Sequence, residues 1–482
     1  MIGARVLAVV AVVVSVGFGV AAAGPISGYA GNVGQYVTVA SNPILSGTGI
    51  MNCPPPAVPG CTTDSYTGSL DVYYYDATLK ALRHARWDGN WTYEWLDGGG
   101  AISLSGYSGN VGRGQIVAIE DNMPNVNGPG AGNVRHVFYY DATQGALRWA
   151  HSFNLGTWSF DQLDGGSGSI SGYTGNVGQY VTAFDYWNIV TQVENLDVFY
   201  YDATKGALRH GYWDGSVWTF NWMDGGSNSL SGYTGNVGQF VAGLWDASSN
   251  TGLAGQPGAV TQDLMYYDAT KGALRYASGF RPNSTWSFET LDGGSGSRSG
   301  YTGNVGQYIG MGPLPDALTY QQNVDVGAFY YNATTGGVRR VWGSPPNNFQ
   351  EFDGGQGSLS GYTGNVGQGS LTLYPGWDGY GLLSYDATAG ALRLSLWNGS
   401  SWTFEQLDGG GSGSVSGYAG NVGKFSTMIN YQGTQQLFYY DASSRALRHA
   451  VWNGSSWYFE QFDGNGVVAV EKALVPIINL LL

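Results

Sequence analysis

An arginine follows Ala-Leu or Gly-Val seven times in this chain, at Arg83, Arg148, Arg209, Arg275, Arg339, Arg393 and Arg448. Four of them have a tryptophan four residues on, at Trp87, Trp213, Trp397 and Trp452. Residues four apart on a β-strand share a face. Arginine beside an indole is a pairing that holds sugars: the guanidinium donates to hydroxyls while the ring stacks on the C–H face of a pyranose. A structural reading stands beside this one. Seven aspartates open the closing phrase of each repeat, at Asp97, Asp164, Asp224, Asp292, Asp353, Asp408 and Asp463. They keep a fixed register to the arginines, so an ion pair within each repeat would occupy both.

Other residues offer chemistry less directly. The phrase Tyr-x-Gly-Asn recurs seven times, and Tyr173, Asn176, Tyr233 and Asn236 typify it. It reads either as a packing turn, with the asparagine bonding backbone amides, or as the lip of a cleft that offers Tyr and Asn to a sugar. The acids Glu120, Asp121, Asp185 and Asp246 fall where the repeat varies most. A hydrolase or lyase would need two such carboxyls held several ångströms apart. The aspartates of Asp-Ala-Thr (Asp76, Asp141, Asp202, Asp268, Asp386 and Asp441) are replaced once, by Asn332. Asp and Asn cap a turn equally well, which favours a structural role. Of five histidines, His84, His210 and His449 follow the repeated arginine, a pattern of packing. No HExxH, GxSxG or phosphate-binding loop is present, and the reading assigns no catalytic residue, metal or cofactor.

The elements that carry these residues follow from the repeat. Ser-Gly-Tyr-x-Gly-Asn-Val-Gly occurs seven times, with tyrosines at Tyr29, Tyr107, Tyr173, Tyr233, Tyr301, Tyr362 and Tyr418. A period of roughly 55–80 residues indicates a solenoid, a propeller or an array. Within one unit, Gln179–Phe184, Leu196–Tyr201, Ala207–Trp213 and Trp218–Met223 are short and β-rich, and turn residues separate the later three. Four antiparallel strands seven times over predict an all-β, seven-bladed β-propeller; stacked sandwiches lack a second sheet within so short a unit. The blades fall at about 27–100, 101–166, 167–226, 227–294, 295–355, 356–410 and 411–464. Strand four starts with tryptophan in six units, and an aromatic two residues on is expected to join it in the core. The turn between strands two and three and the inter-blade linker share one face. The variable insertions, Asp185–Asn195 among them, share the other with the strand three–four hairpin.

Composition narrows the partners. The chain has 482 residues, 79 glycines, 14% aromatics, 11% charged residues and a net charge of −14. That composition is folded rather than disordered, and its acidity disfavours nucleic acid and anionic membranes. Residues 1–23 read as a secretory signal peptide, with Arg5 before the apolar run Val6–Val20 and alanines at the cleavage site. A single-pass anchor is the rival. In an exported chain, Cys53 and Cys61 are expected to close a local disulfide around a proline-rich loop. The apolar tail 465–482 is too short and broken to span a bilayer, and is expected to cover the seam between the last and first blades.

Asp197-Val-Phe-Tyr, Gly206-Ala-Leu-Arg-His, Trp213-Asp-Gly-Ser-Val-Trp218 and Asp224-Gly-Gly together resemble the repeat of secreted seven-bladed propeller lectins, relatives of the fucose-binding propeller lectins. The resemblance covers nearly the whole mature chain. It implies monosaccharide binding in clefts between blades, through an aromatic, an arginine and a polar or acidic partner. Arg83/Trp87, Arg209/Trp213, Arg393/Trp397 and Arg448/Trp452 are the matching candidates, with glycans as partners. The alternatives are a secreted enzyme using the variable face, and a structural or protein-binding module.

Overall fold

A computed structural model of the chain describes residues 25–42, 69–123, 132–153, 156–188, 193–246, 260–281, 285–314, 325–343, 345–376, 379–431 and 433–464. The leader at 1–23, Cys53, Cys61 and the tail at 465–482 lie outside the described residues. The described residues form seven four-stranded antiparallel sheets, each with its strands in sequence order. The third blade is representative, with strands Val177–Asn188, Val193–Asp202, Ala207–Trp213 and Trp218–Gly225. First strands of successive blades lie side by side, and the ring closes where Val422–Tyr431 meets Val33–Asn42. The protein is a seven-bladed β-propeller. Among the described residues the one helical piece is a 3-10 turn at Gly100–Ile102. No described helix is long and apolar enough to cross a membrane.

Local sequence explains each blade. The Asp202 carboxylate accepts from the Thr204 and Lys205 amides, each at 3.0 Å, and Gly206 closes the turn at φ 64°. Asn332 does the same in the fifth blade, at 3.0 and 3.3 Å, so the Asp-to-Asn exchange preserves the turn. Apolar side chains then fill the space between sheets. Val33, Leu70, Val72 and Tyr74 of the first blade meet Phe438, Leu447 and Phe462 of the seventh. The strand-four aromatics join these layers: Trp218, Trp457 and Phe459 are buried in them, while Trp91, Trp286 and Trp402 pack half-buried against other layers of the same kind.

Two expectations change. Asp185–Asn195 is not wholly an insertion: the first two strands stay paired from Asp197 opposite Phe184 out to Val193 opposite Asn188, a hairpin longer than the repeat unit required. The arginine–aspartate pair is not formed within a blade. Leu82 stands opposite Asp97 and Arg83 opposite Trp95, with a bulge between. Residues directly opposite share a face of the sheet. Asp97 therefore points to the side away from Arg83, towards the next blade. The same slip occurs at the corresponding point of all seven blades.

Candidate functional site

Each arginine crosses a blade boundary to the aspartate of the preceding blade. The pairs are Arg83–Asp463, Arg148–Asp97, Arg209–Asp164, Arg275–Asp224, Arg339–Asp292, Arg393–Asp353 and Arg448–Asp408, at 2.6–2.9 Å. The arginines are 2–8% exposed and the aspartates fully buried. A strand-two tyrosine donates to the same carboxylate in six cases, from Tyr74, Tyr139, Tyr200, Tyr266, Tyr330 and Tyr439 at 2.5–2.6 Å. The sixth blade has Ser384 there, and Arg393 reaches Asp353 through two nitrogens, at 2.9 and 3.2 Å. The sequence marks these tyrosines only as the repeated Tyr-Tyr-Asp, which is Tyr-Tyr-Asn in the fifth blade.

The linker tyrosines complete the enclosure. Each lies over the guanidinium of its blade at 4.3–4.6 Å, within cation–π range. Burial, with Asp202 beside Tyr173 and Asp268 beside Tyr233, pushes both phenols up to about 12. Asn176 accepts from the Tyr140 hydroxyl of the preceding blade and Asn236 from Tyr201, each at 2.9 Å. Their backbone amides donate to Thr204 and Thr270 at 2.8 Å. The asparagine side chain thus ties blade to blade and does not bond backbone amides. This end of each boundary is filled by its own side chains.

The tryptophans lie elsewhere. Four residues along a strand separate Arg209 from Trp213 by about 13 Å. Trp87, Trp213, Trp397 and Trp452 are half-buried at the hairpin end, tilted against Trp91, Trp218, Trp402 and Trp457 at 5.5–5.7 Å. Trp213 also lies 6.1 Å from Trp149 of the preceding blade, so it stands at a blade boundary. The structure therefore separates the arginine and tryptophan of each candidate pair.

Glu120, Asp121, Asp185 and Asp246 all fall near the outer ends of first strands. Glu120 reaches Tyr73 at 3.3 Å and faces Asp71 of the first blade. Burial, and then the charge of Asp71, raise its carboxyl well above the usual range. His84 and His210 are buried against Asp71 and Asp197, and His449 against Gln436. No cluster of metal-ligating residues occurs among the described residues.

No protein-family model matches the chain, and no curated protein matches its sequence. Solved structures do. An Aleuria aurantia lectin mutant in complex with α-methyl-L-fucoside is similar at 15% identity and a TM-score of 0.40, over 76% of this chain and 98% of that one. An α-L-arabinofuranosidase from Fusarium graminearum bound to an iminosugar inhibitor is similar at 10% and 0.38, over 70% and 90%. A fructofuranosidase from Schwanniomyces occidentalis complexed with fructose is similar at 9% and 0.29, over 83% and 87%. At these TM-scores the likenesses carry no argument about ligand or reaction, and the fold rests on the strand pairing itself.

Proposed function

We propose that this chain is a secreted carbohydrate-binding propeller that holds glycans at several blade boundaries, at the hairpin end. One observation carries the reading: the same half-buried indole recurs at one height in four blades, as Trp87, Trp213, Trp397 and Trp452. Each is braced by a second tryptophan, which fixes the ring before any ligand arrives. A fixed aromatic plane binds a pyranose without further loss of rotamer freedom. The arginines, enclosed at the other end of the same boundaries, align the blades that present these planes.

Four equivalent sites on one rigid ring act together on a dense surface, so avidity exceeds single-site affinity. Glycan-array binding of the secreted chain measures this. Trp213→Ala is expected to weaken binding, and replacing all four tryptophans to abolish it. Binding that survives the fourfold variant, or no binding to any glycan class, contradicts the reading.

A further inference from the structure

The inner strand opens Val-Gly-x-x in six blades, and in the second the same phrase precedes a strand that starts at Val117; its fourth place reads Tyr36, Gly114, Tyr180, Phe240, Tyr308, Gly369 and Phe425 around the ring. Four of the five aromatics have left-handed backbone: Tyr36 at φ 54°, Phe240 at 53°, Tyr308 at 49° and Phe425 at 54°. Side chains of this size rarely adopt it, and such outliers gather at ligand sites. Strand pairing slips at the same point in those blades, between Gln35 and Thr38, Gln239 and Ala242, Gln307 and Gly310, and Lys424 and Thr427. The bulge turns each ring out of the sheet and onto the axis. There the rings meet across blade boundaries, Phe425 on Tyr36 at 4.4 Å, Tyr180 on Phe240 at 4.5 Å and Phe240 on Tyr308 at 4.6 Å. They form an aromatic collar around an axial cavity of about 300 Å³ to which all seven blades contribute.

The collar has two breaks, at the glycines, and they differ. At Gly114 a cavity of about 310 Å³ opens between Tyr36 and Tyr180. Five blades carry glutamine at the third place, but the second blade carries Arg113. Arg113 is exposed, lines this cavity, and has no carboxylate partner among the described residues. The lining contains no acid at all, in a chain of net charge −14. Burial raises the Tyr36 phenol while Arg113 pulls it down, and burial pushes Tyr180 up to about 12, so both rings are neutral near pH 7. At Gly369 the corresponding cation, Lys424, instead lies 5.1 Å from the ring of Tyr385.

We infer that the break at Gly114 is a single binding site for a small ring bearing a carboxylate, flanked by Tyr36 and Tyr180, with the Arg113 guanidinium holding the carboxylate. No ring stands at Gly114, where even a Cβ would meet the Gln179 carbonyl oxygen at 2.8 Å, and Arg113 supplies the charge that glutamine lacks. Guanidinium and carboxylate match in planar, two-bond geometry. The ring comes from one of two sources, a uronic acid with its C–H face or a planar aromatic acid. The site is on the axis and independent of the rim tryptophans, so either can fail without the other.

Titration calorimetry of the full chain tests it, with glucuronate and benzoate as probes and methyl glucoside and benzyl alcohol as their neutral counterparts. One acid is expected to bind at one site per chain, roughly tenfold or more tighter than its neutral counterpart, the worth of one charge-assisted contact. Binding by glucuronate assigns the sugar source, and binding by benzoate the aromatic one. Arg113→Gln, which restores the residue of the other blades on an exposed position, is expected to remove the preference. Lys424→Gln is expected to leave it within about twofold. Absence of binding by both acids, equal binding of acid and neutral probe, or a preference that survives Arg113→Gln overturns the inference.

Discussion

At Asp224, groups from the next blade converge on one buried carboxylate: Arg275 at 2.6 Å, the Tyr266 hydroxyl at 2.6 Å and the Ser231 hydroxyl. A buried ion pair contributes little net stability, because desolvation offsets attraction, but breaking one strands a charge. Arg275→Met is therefore expected to cost about 3–5 kcal/mol, read as a lower midpoint in urea unfolding. Arg275→Lys is expected to recover little of this, because an ammonium cannot both bond Asp224 and lie flat under Tyr233, as the guanidinium does at 4.4 Å. A lysine variant as stable as wild type contradicts this geometry. The recurrence of arginine and aspartate is plain in the chain, and so is their shared register. Their partnership is not, because it depends on a bulge that moves Asp224 to the far face of its sheet, and no residue type marks that bulge.

The strands themselves were legible, because alternation and Asx turns are written in residue types. The close approach of one strand to the next blade was not. Gly238 has φ +103°, and a Cβ there would stand 2.9 Å from Leu208 Cα of the preceding blade. Gly34, Gly306 and Gly423 meet Leu447, Leu274 and Leu392 in the same way. The glycine of Val-Gly-Gln is thus a contact surface. Gly238→Ala combines left-handed strain with a backbone clash, and is expected to cost at least about 2 kcal/mol, measured by denaturant unfolding. Unchanged stability would show that the blades have room to part. The long third-blade hairpin escaped a reading by unit length, because its extra pairs lie beyond the repeat. The aromatic collar escaped because left-handed backbone at Tyr36 or Phe240 has no sequence signature such as glycine would give.

Around the whole ring, every blade is a continuous stretch of chain, so no exchanged strand fastens the last blade to the first. The seam uses the contacts of the other boundaries. Tyr440 donates to Asn32 at 3.0 Å, as Tyr201 does to Asn236 at 2.9 Å, and Ser27 bonds Asp463 as Ser231 bonds Asp224. If the seam is one boundary among seven, Asn32→Ala and Asn236→Ala should destabilise equally, by about 1–2 kcal/mol each. An Asn32 variant indistinguishable from wild type would mean that the ring is not closed by these contacts. Seven blades, their order and their unexchanged seam were legible from the repeats alone. The division between the filled linker ends and the hairpin ends where Trp87, Trp213, Trp397 and Trp452 stand half-buried was not, since one repeat phrase supplies residues to both.

That division is also what locates the proposed glycan sites, and a crystal structure of the full chain with a glycan selected on the array tests it most directly. The account predicts sugar density stacked on Trp213 at the boundary of the second and third blades, with equivalent density at Trp87, Trp397 and Trp452. Sugar bound at Arg209 and Tyr173, with the Arg209–Asp164 pair opened to admit it, would contradict the account.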